Sequence, residues 1–258
     1  MRTSIQTLQQ KKGNTPIVMI TAYDAPLAAL VDQAVDAILV GDSLGMVVQG
    51  QESTLPVTLD EMVYHTRLAG RGSKTAFLAA DLPFMSYQVS VEQALRSAGR
   101  LVQEGGAQAV KLEGGVEYVP HVRALVRCGI PVVGHLGLTP QSIHVFGGYG
   151  KRAKEEAEAK KLREDARALE EAGLALLVLE NIPHELAREV TALLQIPTIG
   201  IGAGPHCDGQ VQVLHDLLGL FPEFRPRHAV RYLEGGKAIR EAVETYAAEV
   251  RSGRMLSR

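Results

Sequence analysis

Short apolar runs alternate with longer helical patterns along most of this 258-residue chain. Most of the runs are continuously apolar, which is typical of strands covered on both faces, as in parallel sheets. On this basis seven strands are predicted: IVMITAY (17–23), AILVGDS (37–43), TAFLAADLP (75–83), AQAVKLEG (107–114), PVVGHLGL (131–138), LALLVLEN (174–181) and PTIGIGAG (197–204). A weaker candidate for an eighth strand is GQVQVLHD (209–216).

The segments between the runs have helical periodicity and recognisable ends. Thr58 and Glu61 fit a capping box at the start of one helix, and Ser90 and Gln93 repeat that arrangement before the next. Several of these patterns stop at glycine, a common helix end. The alternation favours an α/β fold, a (β/α)8 TIM barrel formed by residues 1–258 as one domain, with a short N-terminal helix. An open doubly wound sheet is the alternative.

Composition narrows the class of protein. Hydrophobic residues make up 46% of the chain and charged residues 22%, so a sizeable core can form. The formal net charge of −2 does not suggest a nucleic-acid or anionic-membrane partner. No apolar run approaches the roughly 20 residues of a membrane span, and the N-terminus lacks the apolar core of a signal peptide. Cys128 and Cys207 form no metal motif or disulfide framework, so a cytoplasmic location is expected.

Polar side chains stand at the ends of five predicted strands. The carboxyl ends of parallel barrel strands meet at one face, which is where barrel enzymes have their active sites. We therefore expect these side chains to converge at one mouth of the barrel. They are Asp42 and Ser43, Asp81, Lys111 and Glu113, His135, and Glu180 with Asn181.

The acids among them suggest a metal site. Asp42, Asp81 and Glu113 would repel one another, and their pKa values would rise, unless cations neutralise them. Lys111 supplies one positive charge, and a divalent metal would supply two more. Oxygen ligands without histidine or cysteine in the same register suit Mg²⁺ or Mn²⁺ better than Zn²⁺. For any single acid, and for Asp81 in particular, the alternative is a helix N-cap or a loop anchor.

Glu180 is a candidate general base. It follows the apolar run LALLVL, and partial desolvation would raise its pKa toward neutrality. The alternative is a structural partner for an arginine or a backbone amide. His135 is either a supporting residue of the same site or an ordinary hydrogen-bonded core histidine.

Two glycine-rich segments have two interpretations each. GIGAG (200–204) resembles the phosphate-binding loops of barrel strand 7, or it is a tightly packed turn. FGGYGKR (146–152) is either a flap over the mouth or an exposed loop without a role.

Ten stretches, in order and over nearly the whole chain, resemble the ketopantoate hydroxymethyltransferase family. They are TAYD (21–24), LVGDSLGMVVQG (39–50), STLPVTLDEMVYHT (53–66), ADLPFMSY (80–87), VKLEGG (110–115), GHLGLTPQS (134–142), FGGY (146–149), LVLE (177–180), IPTIGIGAG (196–204) and DGQ (208–210). Ten ordered stretches are far more specific than any single motif.

The resemblance implies a (β/α)8 barrel that transfers a hydroxymethyl group from 5,10-methylenetetrahydrofolate to 3-methyl-2-oxobutanoate through a Mg²⁺-stabilised enolate. The products are ketopantoate and tetrahydrofolate, in the first committed step of pantothenate and coenzyme A synthesis. The resemblance also implies a homodecamer of two pentameric rings.

The resemblance assigns roles to individual residues as well. Glu180 would be the proton acceptor. One Mg²⁺ per subunit would lie, directly or through water, among Asp42, Asp81 and Glu113. Contacts to the keto acid would come from Asp42, Ser43, Asp81 and Lys111.

Two other functions fit the residues. One is a metal-dependent lyase or mutase of the phosphoenolpyruvate group, which would share the acidic trio but need no folate. The other is a catalytically silent barrel that binds a small acid or a partner protein. The complete acid set together with Lys111 argues against a silent site.

Overall fold

Eight parallel strands close into a barrel in the computed structural model, which describes residues 2–221, 226 and 229–254. Each strand pairs with the next strand of the chain, and the order β1 to β8 closes on itself. The predicted (β/α)8 barrel is confirmed, and the doubly wound sheet is excluded. The strands are β1 (Ile17–Thr21), β2 (Ala37–Val40), β3 (Phe77–Asp81), β4 (Ala109–Glu113), β5 (Val132–Gly137), β6 (Leu176–Glu180), β7 (Thr198–Ile201) and β8 (Gly209–Gln212).

Helices separate the strands along the chain, except between β7 and β8. The first, a single short helix before β1, confirms the predicted N-terminal helix. The α-helices are α1 (Ile5–Gln9), α2 (Ala25–Val31), α3 (Leu44–Val47), α4 (Leu59–Gly72), α5 (Val91–Gln103), α6 (Val119–Arg127), α7 (Ile143–Phe146), α8 (Glu156–Glu171), α9 (His184–Leu193), α10 (Leu214–Leu217) and α11 (Gly235–Arg251). Short 3-10 helices cover Val116–Tyr118 and Pro140–Ser142.

The predicted helix starts are largely correct. Thr58 caps α4, and its side chain and that of Glu61 form the reciprocal capping box. Ser90 caps α5, because its hydroxyl accepts a hydrogen bond from the backbone N–H of Gln93. The Gln93 side chain accepts the N–H of Val89 and not that of Ser90, so no reciprocal capping box forms.

All eight strands end earlier than predicted. β2 ends at residue 40 instead of 43, β3 at 81 instead of 83, and β8 at 212 instead of 216. Apolar side chains such as Leu44 and Leu82 remain buried beyond the last residue of the strand. The apolar pattern in the sequence therefore extends past the end of the strand.

The chain divides into two compact units, Met1–Val211 and Gln212–Arg258. The first unit contains β1 to β7 and most of β8, whereas the second contains α10 and α11. The assignment of residues 1–258 to a single domain stays a prediction. No helix of the described residues is both long and apolar enough to cross a bilayer.

Alternate residues of the strands fill the barrel interior, as expected from the two-residue repeat of a strand. Leu8 of α1 joins this core. The helix lies at the N-terminal end of the barrel: Gln9, its last residue, and Thr3, just before it, form hydrogen bonds to residues that precede strands. The strand residues of the core are Ile17, Met19, Ala37, Leu39, Phe77, Ala79, Ala109, Val133, Leu176, Val178, Ile199 and Val211.

A buried carboxylate ties α2 to the segment that precedes β3. Asp32 accepts hydrogen bonds from the Ser73 hydroxyl (2.6 Å), from the Thr75 N–H (2.9 Å) and hydroxyl (2.8 Å), and from the Ala76 N–H (3.0 Å). Burial opposes the charged form, but these donors outweigh it and hold the Asp32 pKa well below its usual range.

Asp32→Asn is expected to lower the free energy of unfolding by about 2–4 kcal/mol at pH 7, since the amide nitrogen would face donors instead of accepting from them. Because the folded-state pKa is depressed, the wild-type advantage exists above the unfolded value of about 4 and shrinks as pH falls below it. Urea unfolding at pH 7 and pH 3 measures both effects. Asp60→Asn, at an exposed ion pair, is the control and should change stability by less than about 0.5 kcal/mol. A pH-independent difference for Asp32→Asn would contradict the assignment.

Candidate functional site

The inward rows of four strands, β3 to β6, change from apolar to charged near the carboxyl end of the barrel. On β3 the row that contains Ala79 continues to Asp81, and on β4 the row that contains Ala109 continues to Lys111 and Glu113. His135 and Glu180 follow in the same way on β5 and β6. Strand register places Asp81 beside Lys111, and Glu113 beside His135. The predicted convergence at one mouth is therefore present.

Gly41 occupies the equivalent inward position after β2, and its lack of a side chain makes room for the site. A Cβ atom there would lie 2.7 Å from Ser43 Oγ and 3.5 Å from Asp81 Oδ2. This space lets the N–H of Asp42 donate to Asp81 Oδ2 at 3.1 Å. Ser43 Oγ lies 2.9 Å from the hydroxyl of Tyr23.

Asp81 and Lys111 form a buried ion pair. Lys111 Nζ lies 2.9 Å from Asp81 Oδ1. Burial opposes the ammonium, yet Asp81, Glu113 and Asp42 together raise the Lys111 pKa above its usual value, so the side chain stays charged. Asp81 is not the cap of the next helix, since Ser90 caps α5; the N-cap alternative is therefore wrong.

His135 bridges two carboxylates. Its Nδ1 is hydrogen-bonded to Glu113 Oε1 at 3.0 Å, and its Nε2 lies 3.1 Å from Glu180 Oε2. Burial and Lys111 oppose the imidazolium, but the two glutamates outweigh them and raise the His135 pKa to about 9. The same contact helps to lower the Glu113 pKa against the effect of burial. His135 is thus a cation at neutral pH that connects Glu113 to Glu180.

Asp42 is the acid whose charge is least compensated. Burial, Asp81 and Glu113 together raise its pKa well above the usual value. The site as a whole contains four carboxylates and two cations. The carboxylates are those of Asp42, Asp81, Glu113 and Glu180, and the cations are Lys111 and His135. A divalent cation would neutralise the remaining two negative charges.

The donor set fits magnesium only with additional ligands. Within the described ranges, no group of three or more His, Cys, Asp or Glu residues could hold a metal ion by itself. Mg²⁺ commonly keeps several waters and is bound by one or two carboxylates together with substrate oxygens. The carboxylates of Asp42 and Asp81 are close enough to repel each other. Asp42 accepts from Gln141 through one oxygen, Asp81 contacts Lys111 and the Asp42 N–H through its two oxygens, and Glu113 accepts from His135 and the Gln141 N–H through its two oxygens. The residues therefore fit a magnesium ion completed by water and substrate.

Sequence reasoning did not single out three residues of the site. Gln141 donates to Asp42, Tyr87 bonds to the backbone of Glu113, and Tyr23 lies beside Ser43. Tyr87 and Gln141 belong to loops that return over the mouth, so no strand pattern marks them. The available signal was their position six and four residues after strand ends, inside the quoted stretches ADLPFMSY and GHLGLTPQS.

The loop 146–152 is attached to the end of β6. Asn181 donates from its side chain to the Tyr149 carbonyl at 3.1 Å, and its own carbonyl accepts the Arg152 N–H at 2.9 Å. The Tyr149 hydroxyl lies 3.8 Å from the sulfur of Met46, which follows β2. The loop therefore reaches from β6 toward β2, as the flap interpretation expects.

The segment 200–204 is tightly packed. A Cβ atom at Gly204 would lie 2.5 Å from the His184 ring, and one at Gly200 would lie 3.1 Å from Cys207 Sγ. The carbonyl of Gly204 accepts a hydrogen bond from the Gln210 side chain at 2.9 Å. These contacts explain the glycines through packing, without a phosphate ligand.

Solved structures with similar folds include 2,3-dimethylmalate lyase, a member of the PEP mutase/isocitrate lyase superfamily. It aligns with a TM-score of 0.64 and 23% identity over 96% of this chain and 89% of its own. Phosphonopyruvate hydrolase aligns with a TM-score of 0.65 and 12% identity over 97% and 88%. At these identities the likeness shows the fold alone.

Sequence relatives are much closer. The 3-methyl-2-oxobutanoate hydroxymethyltransferase of Moorella thermoacetica is 56% identical over 98% of this chain and 95% of its own length. The enzyme of the same name from Anaeromyxobacter dehalogenans is 57% identical over 95% and 81%. The profile of ketopantoate hydroxymethyltransferases matches residues 2–255. The chain therefore belongs to the ketopantoate hydroxymethyltransferase family.

Proposed function

We propose that this chain transfers a hydroxymethyl group from 5,10-methylenetetrahydrofolate to 3-methyl-2-oxobutanoate, consuming one water and yielding ketopantoate (2-dehydropantoate) and tetrahydrofolate. This is the first committed step of pantothenate and coenzyme A synthesis. Family membership supports the proposal. The observation that carries it is the buried cluster of Asp42, Asp81, Lys111 and Glu113, with Glu180 at its edge. Such a cluster suits the removal of a proton from C3 of a keto acid.

Asp42 and Asp81 are the residues that would hold Mg²⁺, with Glu113 behind them. When bound there, the ion would polarise the keto oxygen and stabilise the negative charge that develops on it. Glu113 is fixed by His135 and by the Gln141 N–H, so it adds negative charge without leaving its own hydrogen bonds.

Ser43 and Lys111 complete the site for the keto acid, together with Asp42 and Asp81. Lys111 remains charged because three carboxylates surround it. Its ammonium would attract the carboxylate of an anionic substrate. Ser43 offers a hydroxyl whose position is fixed by Tyr23 at 2.9 Å. Gly41 leaves the space in which these groups meet.

Glu180 is the proposed proton acceptor. It is the most accessible of the four carboxylates, with 14% of its side chain exposed, so it can reach C3 of a substrate that enters from the mouth. His135 is unsuited to that role because its raised pKa of about 9 keeps it protonated at neutral pH. It instead orients Glu180 through the 3.1 Å contact. The carbon deprotonated in this way would attack the methylene group of the folate.

Incubation with 3-methyl-2-oxobutanoate in D₂O should give Mg²⁺-dependent deuteration at C3, even without folate. NMR measures this exchange. Subsequent addition of 5,10-methylenetetrahydrofolate should yield ketopantoate. Absence of exchange in every condition would refute deprotonation and favour a silent barrel. Exchange without product formation would favour a folate-independent lyase or mutase.

Glu180→Gln should slow C3 exchange by roughly 10²–10⁴-fold, the usual contribution of a positioned base, because the amide cannot accept the proton. Metal affinity, measured by Mn²⁺ titration, should change little because Asp42 and Asp81 are intact. Glu185→Gln, an exposed substitution on α9, is the matched control and should exchange at the wild-type rate. Wild-type exchange in Glu180→Gln would place the base elsewhere.

We also propose that copies of this chain associate, as a decamer of two pentameric rings in the cytoplasm. In the second unit, α11 exposes an apolar row at helical spacing, each side chain 42–60% accessible. Rows of this kind commonly mark protein interfaces. Its members are Ile239, Val243, Tyr246 and Val250.

The double variant Val243→Asp, Tyr246→Asp should reduce the molar mass in sedimentation velocity, since it places two charges in the apolar row. Ala248→Asp is the control: it adds a charge at an exposed position of α11 outside that row and should leave the mass unchanged. An unchanged mass in the double variant would exclude this row as the interface.

A further inference from the structure

Gln141 lies in the 3-10 helix Pro140–Ser142 that follows β5, and its side chain is buried, with 6% exposed. It reaches Asp42, a residue 99 positions earlier in the chain, across the mouth of the barrel. No step of the proposed reaction assigns a role to this side chain.

The hydrogen bonds of Gln141 determine which way its amide faces. Nε2 donates to Asp42 Oδ2 at 2.8 Å and to the Leu82 carbonyl at 2.9 Å. Oε1 accepts from the Tyr87 hydroxyl and from Gln88 Nε2, each at 3.0 Å. The reversed amide would set Oε1 against a carboxylate and a carbonyl, which are both acceptors, so only one orientation is stable.

The backbone of Gln141 has a separate partner. Its N–H donates to Glu113 Oε2 at 2.9 Å, and this bond does not depend on the side chain. A substitution of the side chain therefore removes the contact to Asp42 while the contact to Glu113 remains. The effects of the two contacts can be separated by experiment.

We propose that Gln141 is a positioning residue: its amide, oriented by Tyr87 and Gln88, fixes the Asp42 carboxylate in the conformation that binds a divalent cation. The carboxylates of Asp81 and Glu113 repel Asp42 and the ammonium of Lys111 attracts it, whereas the amide of Gln141 donates a hydrogen bond directly to its carboxylate. Partners behind a metal ligand that hold it in place typically contribute 10–100-fold to metal affinity. The inference rests on the proposed function, since it concerns the metal that this function requires.

Titration of the purified full chain with Mn²⁺, followed by the EPR signal of the free ion, tests the proposal without using turnover. Gln141→Met keeps the length and burial of the side chain but removes the donor, and should weaken Mn²⁺ binding by about 10–100-fold. Gln108→Met is the matched control. Gln108 bonds to Leu78 and Thr3 at the opposite end of the barrel, so its loss should leave Mn²⁺ affinity unchanged.

Tyr87→Phe is a second test that retains Gln141. It removes one of the two donors that orient the amide, and should weaken Mn²⁺ binding by less than Gln141→Met. If Gln141→Met does not fold, Tyr87→Phe decides: wild-type Mn²⁺ affinity in that variant overturns the proposal.

The outcomes separate this inference from the proposed function. Mn²⁺ affinity within twofold of wild type in Gln141→Met, with intact C3 exchange in the wild-type protein, overturns the role of Gln141 alone. A wild-type protein that shows no metal-dependent exchange overturns the proposed function, whatever Gln141 does. Equal weakening in Gln141→Met and Gln108→Met would indicate a general loss of structure and also overturn the inference.

Discussion

Side chains on the barrel strands alternate between the interior and the surrounding helices, and the site depends on this two-residue repeat. On β4 a single row runs from Ala109 in the apolar core to Lys111 and Glu113 at the mouth. The same row of β3 ends in Asp81. One geometric rule thus fixes both the packing of the interior and the place of the charged groups. A shift of one residue in strand pairing would turn these charges toward the helices.

Such a cluster is stable only because its charges are paired in a set order. Lys111 on β4 compensates the negative charge of Asp81 on β3. His135 on β5 lies between the carboxylates of Glu113 and Glu180. Isolated carboxylates in this buried position would become protonated. Burial and the neighbouring carboxylates of Asp81 and Glu113 raise the pKa of Asp42 well above its usual value. The site is therefore charged, and Asp42 is the acid in it without a directly paired cation.

Much of this site follows from the sequence, for a physical reason. Asp81, Lys111, Glu113 and Glu180 were predictable because a polar residue that ends a buried apolar run must lie at a strand end. Gln141 and Tyr87 were not, since a loop residue has no periodicity to show which way it faces. Strand ends were placed too late for a related reason: Leu44 and Leu82 are fully buried although they lie beyond the ends of β2 and β3. The boundary between the two compact units, after residue 211, was not predicted because the amino-acid composition does not change there.

The beginning of the chain has its partners near the end of the barrel sequence. Lys12 forms an ion pair with Asp208, 196 residues later, and the N–H of Ile17 donates to the Asp208 carbonyl. At a synthesis rate of about 5–20 residues per second, the first strand waits roughly 10–40 s on the ribosome before its second neighbour, β8, exists. Throughout that time an edge of β1 and the apolar face of α1 stay uncovered. Barrel closure must therefore wait for the last strand, and an unpaired strand edge is an aggregation hazard during that time.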